Sequence, residues 1–189
     1  PDATLKAFEK YLVGIKGPLT TPIGKGFTSI NVALRQKLDL YVCLRPVKYY
    51  GGIETPVRRP DKVDMVIFRE NTEDIYAGIE FQAGTDDNKL FMEFIKEKFP
   101  ERFKKIRFGT LDQTNESLKL ENLKPADEVE VGFGLKVISR IGSQRLMIAA
   151  LKYAFENKRK SITIVHKGNI LKYTSGSFRN WCYDIAEEL

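Results

Sequence analysis

The stretch "LDLYVCL" at residues 38–44 has the length and composition of a buried β-strand. Two later runs have the same form, "VDMVIF" at residues 63–68 and "SITIVH" at residues 161–166. Continuous β-branched and aliphatic runs of this length are typical of strands covered on both faces, as in an α/β sheet. Because patterns with helical spacing lie between and after these runs, the sequence predicts an α/β fold.

Four segments have apolar residues at helical spacing, and the first opens with a possible Ser29 N-cap. They are "SINVALRQKL" at residues 29–38, "NKLFMEFIKEKF" at residues 88–99, "GSQRLMIAALKYAFENKRK" at residues 142–160 and "SGSFRNWCYDIAEEL" at residues 175–189. The region from about Gln82 to Val131 is polar and has few long apolar runs. We therefore predict an inserted subdomain there, and we expect it to need a partner chain to bury its apolar side chains.

The bulk composition excludes several classes of protein. The chain has 189 residues, 42% of them hydrophobic and 30% charged, and no apolar run approaches the roughly 18 residues that cross a bilayer. Its net charge of +6 comes from basic residues interleaved with acidic ones, without a nucleic-acid-binding motif, so we expect neither a membrane nor a nucleic-acid partner. Residues 1–17 lack the features of a secretory signal, and two cysteines make no disulfide framework, which together predict a cytoplasmic protein with buried thiols.

The helix that follows Ser29 offers a site for an anion. Free backbone N–H groups of a helix's first turn favour a carboxylate or phosphate, and the Ser29 hydroxyl and Asn31 amide would lie beside them. Arg35 lies four residues after Asn31 and therefore on the same helix face. Arg45 and Arg69 each follow an apolar run directly. If the strands are neighbours, three guanidinium groups could converge on one polycarboxylate; taken singly, each arginine is more often a surface ion-pair partner.

Two further residues are candidates for proton transfer. Tyr76 follows Arg69 after one short segment, and Lys167 follows the third apolar run. A phenol and an amine among several arginines could serve as proton donor and base, although a packing role is the commoner one for a tyrosine in such a position. His166 is the only histidine and has no partner at metal-ligand spacing. Neither a GxGxxG nor a GxxxxGK[ST] motif occurs.

Three long stretches resemble a known family. The stretches "IKGPLTTPIGKGFTSINVALRQKLDLYVCLRPVKYY", "DMVIFRENTEDIYAGIE" and "ITIVHKGNILKYTSGSFRNW" closely resemble the prokaryotic-type NADP-dependent isocitrate dehydrogenases, which are decarboxylating β-hydroxyacid dehydrogenases. The resemblance covers residues 11–81 and 132–183. It implies oxidation of isocitrate, followed by decarboxylation to 2-oxoglutarate, with NADP and Mg²⁺ or Mn²⁺ as cofactors.

The resemblance also implies roles for individual residues. Tyr76 and Lys167 would be catalytic, with Lys167 supplied across a homodimer to the partner's site. Residues near the nicotinamide would be Thr20, with Thr21, and Asn169. The substrate carboxylates would be bound by Ser29, Asn31, Arg35, Arg45 and Arg69.

The resemblance further implies a two-part fold and an incomplete chain. We expect a small α/β domain with an inserted clasp-like subdomain and only part of a large domain, and we expect the metal-binding aspartates to lie outside this sequence. The implied parts are residues 1–40 in the large domain with the cofactor and substrate loop, residues 41–81 and 132–189 in the small domain, and residues 82–131 in the clasp that forms the dimer.

Two alternatives remain open from the sequence. Isopropylmalate and homoisocitrate dehydrogenases share the arginines, the tyrosine and the lysine, but the polar "TSIN" at residues 28–31 suits a carboxylate better than an isopropyl group. The chain by itself could also be a non-catalytic dimerisation and substrate-loop module, since it contains no metal site.

Overall fold

A computed structural model describes residues 2–20 and 29–189 of the chain. These residues form helices and short strands, with 3-10 turns at Pro60–Lys62 and Ile75–Ala77. In chain order the helices and strands are α1 (Asp2–Tyr11), α2 (Ile30–Lys37), β1 (Val42–Lys48), β2 (Asp64–Glu70), β3 (Glu80–Phe81), α3 (Asp86–Lys98), α4 (Pro100–Phe103), α5 (Leu111–Leu120), β4 (Phe133–Gly134), α6 (Arg140–Glu156) and α7 (Ser175–Glu188).

The chain divides into two compact units. Unit 1 comprises residues 1–77 and 136–189, and unit 2 comprises residues 78–135. Unit 2 is thus inserted between the two stretches of chain that make unit 1. The sequence predicted an insertion at residues 82–131.

The first two predicted strands form in unit 1, but they start and end later than expected. β1 and β2 pair as an antiparallel two-stranded ribbon in which Arg45 lies opposite Ile67. The chain before β1 turns at Asp39, whose φ is +46°, so "LDLYVCL" enters the strand only at Val42. The expectation of strands covered on both faces is wrong for this ribbon, since Ile67 and Met65 remain exposed on one face.

The third predicted strand, residues 161–166, is absent from the described structure. This segment is irregular and mostly exposed, and it is assigned to no strand. A strand needs a ladder partner for its N–H and C=O groups. A cavity of about 830 Å³ is lined by β2 on one side and by residues 158–165 on another, so the two segments do not come together to form a ladder.

α6 and α7 make the core of unit 1. The buried residues of α6 recur at helical spacing, with Leu146, Met147 and Ala150 as the apolar ones. Cys182 of α7 is only 1% exposed, and its sulfur lies 3.8 Å from the carbonyl oxygen of Ser143. Burial raises the pKa of the Cys182 thiol to about 11. The predictions of helices in these two segments and of a buried Cys182 thiol are confirmed.

α6 also packs along β2. The rings of Phe68 and Tyr153 meet edge to face with centroids 5.3 Å apart. Beyond the end of α6, Arg159 donates to the Asp64 carboxylate at 3.0 Å and to the Asp64 carbonyl at 2.6 Å. The helix therefore holds one face of the ribbon and leaves the other face open.

Unit 2 has a small aromatic cluster of its own. The rings of Phe81 and Phe91 stack with centroids 4.4 Å apart, and Phe133 meets Phe91 edge to face. Asn88, 2% exposed, donates to the carbonyl oxygens of Phe81 and Val131 and so ties α3 to the β3–β4 pair. The helix predicted at residues 88–99 is confirmed as α3.

None of the helices in the described part of the chain has the length and apolar character required to cross a lipid bilayer.

Candidate functional site

One face of the β1–β2 ribbon carries two of the predicted substrate-binding arginines. In the antiparallel register Arg69 lies opposite Cys43, and Arg45 lies opposite Ile67. Directly opposed residues, and residues two apart on one strand, project to the same side of a sheet. Arg45 and Arg69 are therefore diagonal neighbours on one face, which we call the arginine face and define by Cys43, Arg45, Ile67 and Arg69. The Nε of Arg45 donates to the Cys43 sulfur at 3.1 Å.

Tyr76 lies against the arginine face. The guanidinium carbon of Arg69 is 4.6 Å from the centroid of the Tyr76 ring, which is a cation–π geometry. The loop between them is closed by the Glu70 carboxylate, which accepts the backbone N–H groups of Thr72 at 2.8 Å and Glu73 at 2.7 Å. This turn brings the phenol back to the strand that it follows.

Helix α2 contacts the same loop. Gln36 donates from Nε2 to the backbone carbonyl of Tyr76 at 3.2 Å. Ser29 occupies the N-cap position of α2, as predicted, and Asn31 and Arg35 lie four residues apart on the helix. The structure thus links the helix that carries the polar candidates to the loop that carries Tyr76.

A cavity of about 640 Å³ opens beside Arg69 and Tyr76. Its lining also includes Lys136, whose ammonium group forms a salt bridge with the Asp74 carboxylate, and His166. Lys136 was not among the residues predicted from the sequence. Its only signal was a cation at the end of the extended "VGFGLK" piece, at the residue where unit 1 resumes.

Glu73 also lines this cavity, but its carboxylate is used by helix α6. It accepts the Ser139 N–H at 2.8 Å and the Ser139 hydroxyl, and Ser139 in turn caps α6 through the Gly142 N–H at 3.0 Å. A Cβ on Gly142 would lie 2.7 Å from the Glu73 carboxylate. A negative group at a helix N-terminus is stabilised there, so we assign Glu73 a structural role rather than that of a general base.

The turn that carries Lys167 directly follows the irregular segment at residues 161–166. His166 accepts the Gly168 N–H at its Nδ1 at 3.0 Å, and the Leu171 N–H donates to the Lys167 carbonyl at 3.1 Å. Lys167 and Asn169 are both exposed. Among the described residues that line the cavity beside Tyr76, His166 is present and Lys167 is not.

The predicted cofactor residues are separated along the chain. Thr20 is exposed in an irregular segment, and Asn169 lies in the turn after Lys167. Thr21, and Thr28 of the "TSIN" motif, lie outside the described residues. Within residues 2–20 and 29–189, no group of three or more His, Cys, Asp or Glu side chains could hold a metal ion.

Arg145 was also missed by the sequence reasoning. It lies on α6 among apolar residues, and a charge in the sequence "QRLMIAAL" on a core helix was the signal that could have identified it. Its guanidinium group contacts the Asp39 carboxylate and the Thr72 hydroxyl.

A family model and two curated proteins match this chain over all or nearly all of its length. A family model described as isocitrate/isopropylmalate dehydrogenase matches residues 1–189. The isocitrate dehydrogenase [NADP] of Staphylococcus epidermidis is 50% identical over 186 residues, covering 98% of this chain and 39% of that protein. The isocitrate dehydrogenase [NADP] 1 of Colwellia maris is 50% identical over 188 residues, which is 100% of this chain and 40% of that protein.

A solved structure has the same fold. The crystal structure of isocitrate dehydrogenase from Methylococcus capsulatus matches with a TM-score of 0.71 and 35% identity, over 100% of this chain and 43% of that one. The chain spans about two fifths of the length of these relatives.

Proposed function

Because the chain belongs to the isocitrate/isopropylmalate dehydrogenase family, we propose that it supplies the substrate-binding part of an NADP-dependent isocitrate dehydrogenase. The reaction is oxidation of isocitrate and loss of CO₂ to give 2-oxoglutarate, with reduction of NADP. The names of relatives that are 50% identical over nearly the whole chain support this choice over isopropylmalate or homoisocitrate.

The observation that carries the proposal is the arginine face with Tyr76 against it. Two guanidinium groups that are diagonal neighbours can each hold a carboxylate in bidentate fashion. The Arg69 guanidinium carbon is 4.6 Å from the centroid of the Tyr76 ring, and a phenol this close to a carboxylate-binding group supports a role for Tyr76 as proton donor to the substrate. Isocitrate, with three carboxylates, matches this density of positive charge.

The remaining groups that bind the substrate come from α2 and its N-cap. The Ser29 hydroxyl, the Asn31 amide and the Arg35 guanidinium group bind the carboxylate that distinguishes isocitrate from isopropylmalate. The helix N-terminus adds a partial positive charge to this end of the substrate.

Lys167 and Tyr76 divide the proton transfers. Lys167 takes the proton of the substrate hydroxyl as the carbon that bears this hydroxyl is oxidised. NADP, when bound, would accept the hydride. After CO₂ leaves, Tyr76 protonates the enol carbon, which yields 2-oxoglutarate. Thr20 and Asn169 are exposed neutral donors of the kind that fits a nicotinamide amide, and Thr21 belongs with them.

The metal, the partner chain and the compartment complete the proposal. The described residues do not fit a Mg²⁺ or Mn²⁺ site, so no step is assigned to a metal, and we propose that its ligands are residues other than these. Exposed apolar residues on α3, Leu90 at 68% and Phe94 at 49%, lie one turn apart and support a homodimer formed through unit 2. We assign the enzyme to the cytoplasm.

A chimeric enzyme tests the function. In it, this chain replaces the 186 aligned residues of the Staphylococcus epidermidis protein, and reduction of NADP is followed with isocitrate and with isopropylmalate. We expect activity with isocitrate and a much lower kcat/KM for isopropylmalate. Arg45→Gln or Arg69→Gln should raise the KM for isocitrate roughly 10- to 100-fold, since each removes a charge-assisted hydrogen bond to the substrate.

Arg58→Gln is the matched control, because Arg58 is an exposed arginine of the same unit outside the arginine face. It should leave the KM within about twofold, as surface substitutions usually do. A preference for isopropylmalate, or an unchanged KM in both arginine-face variants, would contradict the proposed function.

A further inference from the structure

We propose that Arg145 is a positioning residue. Its one guanidinium group holds the loop between α2 and β1 and the loop between β2 and Tyr76, and so orients the substrate-binding arginines and the phenol. The inference rests on the proposed function, since it concerns the same site. Arg145 itself belongs to α6 and lies outside the arginine face.

The guanidinium group of Arg145 makes three contacts with two loops. Nη1 lies 2.8 Å from the Asp39 carboxylate, and Nη2 lies 2.9 Å from the Thr72 hydroxyl. Its central carbon is 4.4 Å from the centroid of the Tyr41 ring. A planar guanidinium group can donate hydrogen bonds in two directions while it stacks on a ring. The ammonium group of lysine cannot.

The first loop connects α2 to β1 and therefore joins Arg35 to Arg45. Asp39 is its turning point, with φ of +46°, a backbone conformation that a residue other than glycine adopts at a cost. Its neighbours close the turn, since the Leu40 N–H donates to the Arg35 carbonyl at 2.8 Å. The ion pair with Arg145 holds the strained residue in place and so fixes the angle between helix and strand.

The second loop connects β2 to Tyr76. The Thr72 hydroxyl accepts the hydrogen bond from Arg145 and donates one to Glu70 Oε1 at 2.6 Å. Glu70 is the neighbour of Arg69, and its carboxylate closes the turn that returns Tyr76 to Arg69. A shift of Arg145 would therefore be transmitted through Thr72 and Glu70 to Arg69 and Tyr76.

The two loops are also joined to each other. Asn71, which is buried, directs its Nδ2 to the Leu40 carbonyl at 3.5 Å. This contact is long for a hydrogen bond, so we expect it to depend on Arg145 rather than to replace it. The Nε of Arg145 is buried and has no partner in the described part of the chain. An unpaired buried donor lowers stability, so Arg145 stabilises the fold less than its other hydrogen bonds alone would suggest.

Arg159 provides a matched control. It is 29% exposed, against 28% for Arg145, and it binds Asp64 at the opposite end of β2. Each arginine forms an ion pair with an aspartate: Arg145 links α6 to the loop before β1, and Arg159 links the residues after α6 to β2. Only Arg145 is connected to the loops that present the site.

The experiment compares Arg145→Lys and Arg159→Lys in the chimera described above. For Arg145→Lys we expect the KM for isocitrate to rise about 10-fold or more, while the KM for NADP stays within about twofold. For Arg159→Lys we expect both constants within about twofold at a similar loss of thermal stability. An equal effect of both substitutions on the KM for isocitrate would assign Arg145 a purely structural role and overturn the inference.

Hydrogen exchange separates this inference from the proposed function, because it does not require activity. Arg145→Lys should increase exchange at residues 38–41 and 71–76, and Arg159→Lys should not. If the unsubstituted chimera is inactive, the proposed function fails, and the exchange pattern still decides the inference. Unchanged exchange at both loops in Arg145→Lys would overturn it.

Discussion

The two cysteines show how single residues of one type acquire different roles from their surroundings. Both were predicted to be buried thiols. Cys182 is buried between α6 and α7, whereas Cys43 is only half-buried and its sulfur accepts a hydrogen bond from Arg45 on the arginine face. Cys43 therefore belongs to the candidate site and Cys182 to the core.

Burial of Cys182 should make stability fall at alkaline pH. Its pKa is raised from 9.0 to about 11, so the folded protein keeps a proton that the unfolded chain releases. The stabilisation is fully present below pH 9 and is lost as the pH approaches 11, by roughly 2 to 3 kcal/mol. Urea unfolding at pH 8 and pH 10.5 measures this loss.

In Cys182→Ala the decline over the same pH range should be shallower, because no thiol remains to titrate. The variant should also be less stable at pH 8, since it leaves a small cavity. Equal declines for the variant and the parent protein would show that another group is responsible.

At the scale of elements, the helices were predictable because their signal is local. The segments that became α2, α3, α6 and α7 each carry apolar residues at helical spacing. The segment at 161–166 has as strong a strand composition as the runs that became β1 and β2, yet it has no ladder partner in the described structure. Strand formation depends on a distant partner, which composition does not reveal.

The residues of the candidate site also divide into those that the sequence predicts and those that it does not reveal. Arg45 and Arg69 were predicted to be near each other if their strands were neighbours, and the antiparallel register places them on one face. Lys136 and Arg145 were missed because only the folded chain brings them to residues more than 60 positions away. Whether the predicted residues perform their assigned roles stays a prediction.

The N-terminus of α6 should not tolerate a side chain at Gly142. Replacing a helical glycine with alanine usually stabilises a protein by about 1 kcal/mol. At Gly142, however, the new Cβ would lie 2.7 Å from the Glu73 carboxylate, which Ser139 holds in place. We therefore expect Gly142→Ala to lower the free energy of unfolding by about 1 to 3 kcal/mol, as loss of a partly buried hydrogen bond to a charged group would.

Gly176 of α7 provides the control for this substitution. A Cβ there would meet its nearest atom, the Leu171 carbonyl oxygen, at 3.7 Å, an ordinary contact. Gly176→Ala should be neutral or slightly stabilising in the same thermal or urea unfolding measurement. If both substitutions leave the free energy of unfolding unchanged or raise it, the Glu73 carboxylate is not fixed at the helix end.

At the scale of the whole molecule, the family resemblance is confirmed over the full chain, including the inserted region, where the sequence motifs had been least recognisable. The α/β fold class is confirmed with it. The dimer remains a proposal, and its support is the exposed apolar surface of unit 2 together with the position of Lys167 outside the cavity that Tyr76 lines.

Subunit exchange tests whether Lys167 acts across the dimer. Tyr76→Phe and Lys167→Met chimeras should each be slower by roughly 100-fold or more, because each lacks one proton-transfer group. Mixed heterodimers should then contain one site with both defects and one with neither, and activity should return toward half of the parent value. Mass measurement verifies the exchange. A mixture that exchanges subunits but stays inactive would place both residues in one subunit.

The division of unit 1 into two stretches has a consequence for synthesis. The Asp74 N–H bonds to the Val137 carbonyl at 2.8 Å, so the two stretches of unit 1 meet at this bridge. Closing a loop of about 60 residues costs roughly 3 to 4 kcal/mol of chain entropy, and at about 5 to 20 residues per second the ribosome needs several seconds to make it. During that interval β2 has emerged, while Tyr153 of α6, its packing partner, has not. Unit 1 therefore completes its folding only after unit 2 has been synthesised.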